Sequence, residues 1–270
     1  MEIMEAVRKV ETQDLEKLLV GIDLVGLGYD LAAAPPKKRP QTSIRHRGYD
    51  CQLREIGCLQ YLECIHSSTG DLAVAVPGTN ERGDWIHNFD IRKGRIFEVP
   101  GKWHRGYLSL AYTLTRGIES FHRRGGDCTG TWKPVKVYCH SLGAAVVGQT
   151  ISMISPGVID YTPVLFDPPR FCDAEAARWL TQHYPKAQRW TYGTSIVAHV
   201  PPECMGYRHA FKTHAVSSAG TVFDEALSIP LEFLRAVGTP GLQAVQHHLL
   251  RELRAQVVRM IDVQRMAKIA

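Results

Sequence analysis

The sequence predicts an α/β fold, a central, mostly parallel sheet with helices on both faces. Three observations carry this. Val135-Lys136-Val137-Tyr138 is a β-branched and aromatic run that passes through Cys139-His140-Ser141-Leu142-Gly143 into the apolar, Ala-rich Ala144-Ala145-Val146-Val147, which reads as a strand, a tight turn and a helix. A second apolar run, Val164-Leu165-Phe166, precedes Asp167, and the 26 residues from Ser141 to Asp167 have room for one helix and a return strand. The chain's 270 residues, 44% of them apolar and 22% charged, can bury one large core.

Residues 13–34 carry Leu15, Leu18, Leu19, Ile22 and Val25 at helical spacing, and Pro35-Pro36-Lys37-Lys38-Arg39-Pro40 ends that helix in a basic linker. Residues 1–40 are therefore expected to be an N-terminal helix and linker packed on the core, and 41–270 a single domain. The apolar run from Leu18 to Ala34 contains Asp23 and Asp30, so it reads as a packed helix and not a bilayer span. Leu59–Ile65 and Leu72–Val76 are two extended runs, and Ser67-Ser68-Thr69-Gly70 between them predicts a hairpin. Thr221–Val237 reads as a packing helix. After Gly238-Thr239-Pro240-Gly241 comes an amphipathic helix, Leu249–Val258, with His247 and His248 at its start and a basic, solvated tail beyond.

A net charge of +5, scattered along the chain, predicts no nucleic-acid groove. Seven cysteines at irregular spacing, with no Cys-x-x-Cys, predict neither a disulfide framework nor a zinc site. The start, Met1-Glu2-Ile3-Met4-Glu5, lacks the basic-then-apolar build of a signal peptide, which leads to the expectation of a cytoplasmic protein.

The turn at Ser141 is where chemistry is expected. A strand that turns sharply into a helix holds one serine in strained backbone with its hydroxyl above the sheet, and the helix aims N–H groups at the same spot. The strict form of this turn is Gly-x-Ser-x-Gly; Gly143 is present and Cys139 replaces the first glycine. The bland alternative is an ordinary buried strand-to-helix turn.

Several motifs, in order, resemble those of the class 3 (fungal-type) lipases of the α/β-hydrolase superfamily. Ala75-Val76-Pro77-Gly78-Thr79 with Asp84-Trp85 and Asp90 is similar to the family's oxyanion loop, and His104-Arg105-Gly106-Tyr107 to its step into the helix before the nucleophile strand. His140-Ser141-Leu142-Gly143 resembles Gly-His-Ser-Leu-Gly, and Phe166-Asp167-Pro168-Pro169-Arg170 resembles Phe-Gly-x-Pro-Arg. Ile196-Val197-Ala198-His199-Val200-Pro201-Pro202 and Gly206-Tyr207-Arg208-His209 are similar to a later segment and the hairpin after it.

The resemblance implies an α/β-hydrolase fold and a serine hydrolase of carboxylic esters, acylglycerols or phospholipids, with Ser141 as nucleophile and no metal or organic cofactor. It places oxyanion donors at the backbone of Thr79 and Leu142. The family's acid position is Ser195 here, and a hydroxyl cannot stabilise an imidazolium as a carboxylate does. Asp167, at the expected C-terminal end of the next strand, is the candidate acid; its alternative role is to order the turn before Pro168-Pro169.

The order Ser, Asp, His then asks for a late histidine. His248 is preferred to His247 because Leu250, Leu253 and Val257 stand at +2, +5 and +9 from it; the alternative is a pair of helix-start histidines facing solvent. His183 reads as a surface residue, His199 and His209 as structural, and His214 as the end of the hairpin. The stretch Trp85–Trp103, apolar residues among basic ones, is where the family carries a lid; it reads as transient membrane-surface contact or as core. A degraded lipase-like scaffold and an acyltransferase on the same triad are the competing functions.

Overall fold

The computed structural model describes residues 10–57, 59–78, 90–125, 133–154, 159–192, 195, 197–216, 222–223 and 242–268, with 242–249 described as helical backbone. Helix α1 spans Thr12–Ala33. Strands β1 (Ile44–His46), β2 (Tyr49–Ile56), β3 (Leu59–His66) and β4 (Leu72–Val76) follow, and the small pair β5 (Lys93–Gly94) and β6 (Trp103–His104) leads into α2 (Arg105–Gly125). Then come β7 (Val135–His140), α3 (Ser141–Met153), β8 (Tyr161–Phe166), α4 (Ala174–His183), β9 (Gln188–Tyr192), β10 (Lys212–Val216), β11 (Val222–Phe223) and α5 (Leu242–Ala267).

Nine of these strands form one sheet in the order β1-β2-β3-β4-β7-β8-β9-β10-β11. Its centre, β4-β7-β8-β9-β10, is parallel, as expected for strands returned by helices, and antiparallel strands extend both flanks. The period of two along the central strands assigns each side chain to a layer. Leu72, Val74 and Val76 of β4 and Val135, Val137 and Cys139 of β7 face the core shared with α2, α3 and α4. Ala73, Ala75, Tyr138, Val164 and Phe166 face the opposite core, which α1 and α5 cover.

The helices bury the faces their sequences dictate. In α2, Tyr107, Ala111, Leu114, Ile118 and Phe121 recur at helical spacing and are buried. Twelve of the thirteen residues of α3 are buried, as an apolar helix clamped between the sheet and α2 requires. Asp173 caps α4 by accepting from Glu175 N–H at 3.1 Å and Ala176 N–H at 3.0 Å.

Four sequence expectations need correction. Strands β1 and β2 extend the sheet beyond the β3–β4 hairpin. The chain after Gly206 does pair back on itself, β10 running antiparallel to β11, but His214 lies inside β10 and not at the hairpin's end, opposite Trp190 of the parallel neighbour β9. Helix α5 starts at Leu242, so His247 and His248 sit in its second turn, and β11 occupies two residues of the segment read as a helix. The basic tail is not simply solvated, because Arg254 bonds Asp23 at 2.6 Å and Arg265 bonds Glu16 at 2.8 Å across the α1–α5 contact. The remainder of 221–237, and Gly238–Gly241, lie outside the described residues. Among the described residues no helix is long and apolar enough to cross a membrane.

Candidate functional site

Three parallel strands end at one sheet edge, and the residue after each end defines the site. Val76 pairs with Cys139 and His140 with Phe166, so Pro77-Gly78, Ser141 and Asp167 leave the sheet side by side. In open α/β sheets the crevice outside the carboxyl ends of the strands is where ligands bind.

Helix α3 begins at Ser141 with no intervening loop, and the backbone absorbs the reversal there: Ser141 has φ 54°. A non-glycine residue in left-handed backbone is strained by about 1–3 kcal/mol and persists only where its surroundings enforce it. The enforcement is visible at Gly143. A Cβ on that residue would lie 2.3 Å from the Pro77 carbonyl oxygen and 2.7 Å from that of Val76, so the first turn of α3 rests directly on the end of β4. The Ser141 hydroxyl is buried and takes no hydrogen bond among the described residues. Leu142 follows in the first turn, where N–H groups have no intrahelical acceptor.

Asp167 also adopts left-handed backbone, with φ 44°. Its N–H donates to Trp190 O at 2.8 Å, and its Oδ1 accepts from Tyr192 N–H at 3.2 Å, while Oδ2 has no partner among the described residues. Burial pushes this carboxyl up to about 7, opposed by the Tyr192 N–H, the Ser195 hydroxyl and the Arg189 charge. Ser195 is itself buried and is held by its N–H to Tyr192 O at 3.2 Å. Its hydroxyl favours the ionised carboxylate without closing a hydrogen bond of full geometry. Ser195, the position the resemblance gives to the acid, and the Asp167 carboxyl thus lie together beyond the ends of β9 and β8.

The late histidines divide by what already engages them. His183 is exposed and donates to Trp179 O at 2.8 Å. His199 donates to Ser195 O at 2.9 Å, and His209 bonds Ala198 O; burial and the neighbouring Arg189 and Arg170 hold His209 well below the usual imidazole range. His214 is buried in β10 with its ring 4.6 Å from that of Trp190.

His247 and His248 are described only as backbone, but the register of α5 bears on them. Helices α1 and α5 run antiparallel: Thr12 bonds Gln264 and Asp23 bonds Arg254, pairs whose residue numbers add to 276 and 277. The same register sets residues 247 and 248 level with Tyr29 to within about one turn, since a turn spans about 3.6 residues. Leu250, Leu253 and Val257, the positions that favour His248, are all buried.

Tyr29 is a neighbour of the site that the sequence did not single out. Its hydroxyl accepts the Gly78 N–H at 2.8 Å and lies 2.7 Å from Nδ1 of His140, the residue before Ser141. The only sequence signal was an aromatic residue on the buried face of α1. Thr79 and Trp85–Phe89 lie outside the described residues. Of the remaining lid-like stretch, Trp103 and Ile96 are core, whereas Phe97 is 85% exposed.

Solved structures sharing this architecture include a fungal lipase with 15% identity and TM-score 0.69, the match covering 90% of this chain and 97% of that one. The triacylglyceride lipase of Rhizomucor miehei matches at 16% identity and TM-score 0.64, covering 90% of this chain and 96% of that one. A triacylglycerol lipase whose catalytic centre is a serine-protease triad matches at 16% identity and TM-score 0.61, covering 81% and 86%. No family model matches the sequence, and no curated protein does. The chain therefore has the α/β-hydrolase fold in the form seen in fungal triacylglycerol lipases, and the resemblance read from its motifs holds at the level of the fold.

Proposed function

We propose that the protein is a serine hydrolase of carboxylic esters, lipid esters foremost, working through an acyl-enzyme. The observation that carries this is Ser141: a strained, buried serine at a strand-to-helix elbow, with an uncommitted hydroxyl and the backbone of Gly78 packed against it. The neighbouring Asp167 and the fold shared with triad lipases support the same reading.

In this mechanism His248, or His247 in its place, takes the proton from Ser141 Oγ as it attacks the ester carbonyl. The imidazolium is braced by Asp167 and protonates the departing alcohol; water then attacks the acyl-enzyme. Backbone N–H groups of Leu142 and Thr79 hold the oxyanion, each donor contributing roughly 3 kcal/mol to lowering the barrier. No group in these steps requires a metal or organic cofactor.

Labelling by a fluorophosphonate tests the reading. The wild type is expected to label at Ser141, with Ser141→Ala inert; an unlabelled wild type would favour the degraded scaffold. Product analysis with competing alcohols separates hydrolysis from acyl transfer. Contact with a lipid surface is a second element of the proposal, favoured by exposed Phe97 and by an open cleft of about 470 Å³ whose lining includes Arg92, Lys93, Arg95 and Lys102 together with Ile91, Met205 and Tyr207. Sedimentation with anionic against zwitterionic vesicles tests it, and equal recovery in both would remove it.

A further inference from the structure

The residues flanking Ser141 in space are tied to a single side chain from outside the sheet. Tyr29, near the C-terminal end of α1, is 3% exposed, and its hydroxyl meets two groups of the site among the described residues. Gly78 N–H donates to it at 2.8 Å, and His140 Nδ1 lies 2.7 Å away. Gly78 belongs to the loop after β4, and His140 is the residue before the nucleophile. We infer that Tyr29 is a positioning residue of the active site: its hydroxyl pins the oxyanion loop at Gly78 to the nucleophile elbow at His140. The inference rests on the proposed hydrolase reading and adds to it a residue that neither motif contains.

The Tyr29 hydroxyl has the donor and acceptor capacity to serve both neighbours at once. A phenol has one proton to donate and lone pairs to accept with. Burial raises the Tyr29 pKa, so the group remains protonated. Its oxygen accepts from Gly78 and keeps one proton and a second lone pair, so the 2.7 Å contact closes with either His140 tautomer, the hydroxyl donating to a bare Nδ1 or accepting from a protonated one.

Steric fit closes the loop from the other side. A Cβ on Gly78 would come 2.6 Å from the Tyr29 oxygen, 3.2 Å from Ser141 Cβ and 3.5 Å from Ser141 Oγ. The Gly78 backbone therefore fills the whole gap between the tyrosine and the nucleophile. Thr79, the proposed oxyanion donor, follows it directly in the chain. A donor aimed at a developing oxyanion stabilises it only if held before the charge appears, and the loss of one such donor lowers kcat by roughly 10²–10³. A hydrogen bond one residue upstream of the donor is a means of holding it.

Tyr29→Phe keeps the ring and deletes the bridge. Expected are a kcat on p-nitrophenyl butyrate lowered 10- to 100-fold, in the lower part of that catalytic range because the donor is displaced and not deleted, with KM within about twofold, and Gly78 amide exchange, followed by NMR, accelerated at least about tenfold as its acceptor disappears. A second pair covers the case in which Tyr29→Phe does not fold. His140→Asn retains a hydrogen-bonding partner for the tyrosine hydroxyl and should keep kcat within about threefold, while His140→Leu should fall as Tyr29→Phe does. Wild-type kcat in Tyr29→Phe, unaltered exchange at Gly78, or equal losses in the two His140 variants would each overturn the inference. If the wild type neither turns over ester nor labels with fluorophosphonate, the hydrolase reading fails, and the exchange arm still decides whether Tyr29 holds the loop.

Discussion

The Ser195 hydroxyl stands beside the buried Asp167 carboxyl, so the position where the lipase pattern places its acid and the position of the acid proposed for this chain form a single corner beyond the ends of β9 and β8. Exchange of the two side chains is then a local event. Asp167→Asn should lower kcat/KM on p-nitrophenyl esters by about 10³–10⁴, the loss expected when an imidazolium loses its carboxylate. Ser195→Ala should cost less than about tenfold, since the hydroxyl only assists. Adding Ser195→Asp to Asp167→Asn should restore at least about tenfold. Full activity in Asp167→Asn would remove the relocated acid.

The raised pKa of Asp167 has a signed consequence for stability. Its carboxyl titrates near 7 in the folded chain against 3.8 ordinarily, so between those values the native state holds a proton that the unfolded chain releases. Stability should therefore fall as pH rises from about 4 to about 7, by at most roughly 1.4 kcal/mol per pH unit, and level off above. Asp167→Asn should lack this slope. Urea unfolding of both proteins at pH 5 and pH 8 measures it; parallel behaviour would contradict the assignment.

Gly143 permits no side chain. The atom a Cβ would strike is the Pro77 carbonyl oxygen at 2.3 Å, a backbone group that cannot rotate aside. Gly143→Ala should destabilise the fold by roughly 1–3 kcal/mol. It should also lower kcat at temperatures where the variant is fully folded, because relief of the clash displaces the Pro77-Gly78 backbone. Thermal melting and activity at 20 °C together test this, and an unaffected kcat would show that the loop tolerates the shift.

His248→Ala should abolish fluorophosphonate labelling of Ser141, and His247→Ala should leave it within about threefold. The reverse outcome would reassign the base to His247, and retention in both would move it off α5.

The strand, elbow and helix around Ser141 were legible because β-branched alternation gives way abruptly to small and apolar residues, and Asp167 was legible as a carboxylate closing the next apolar run. Strands β1 and β2 were not: a half-solvated antiparallel flank usually alternates cleanly, but here buried positions alternate only at Tyr49 and Cys51, and the rest of β2 is partly or fully exposed. The parallel seat of β10 against β9 was missed because that pairing is non-local and residue spacing carries no record of it, whereas its antiparallel partner β11 follows within a few residues. Tyr29 was hidden for a related reason. On a helix with Leu15, Leu18, Ile22 and Val25 it continues the buried face, and only the fold shows that its oxygen ends beside His140.

Asp23 of α1 joins Arg254 of α5 at 2.6 Å and pairs with Arg47 from the turn between β1 and β2. Through that clasp the two helices most distant in the described chain form one layer, one of them supplying Tyr29 and the other the proposed base. During synthesis the elbow, the left-handed Ser141 and Asp167 and the bracing tyrosine all emerge before α5 does. On this reading the nascent chain carries a finished but silent serine, and hydrolytic competence begins only when the last helix docks.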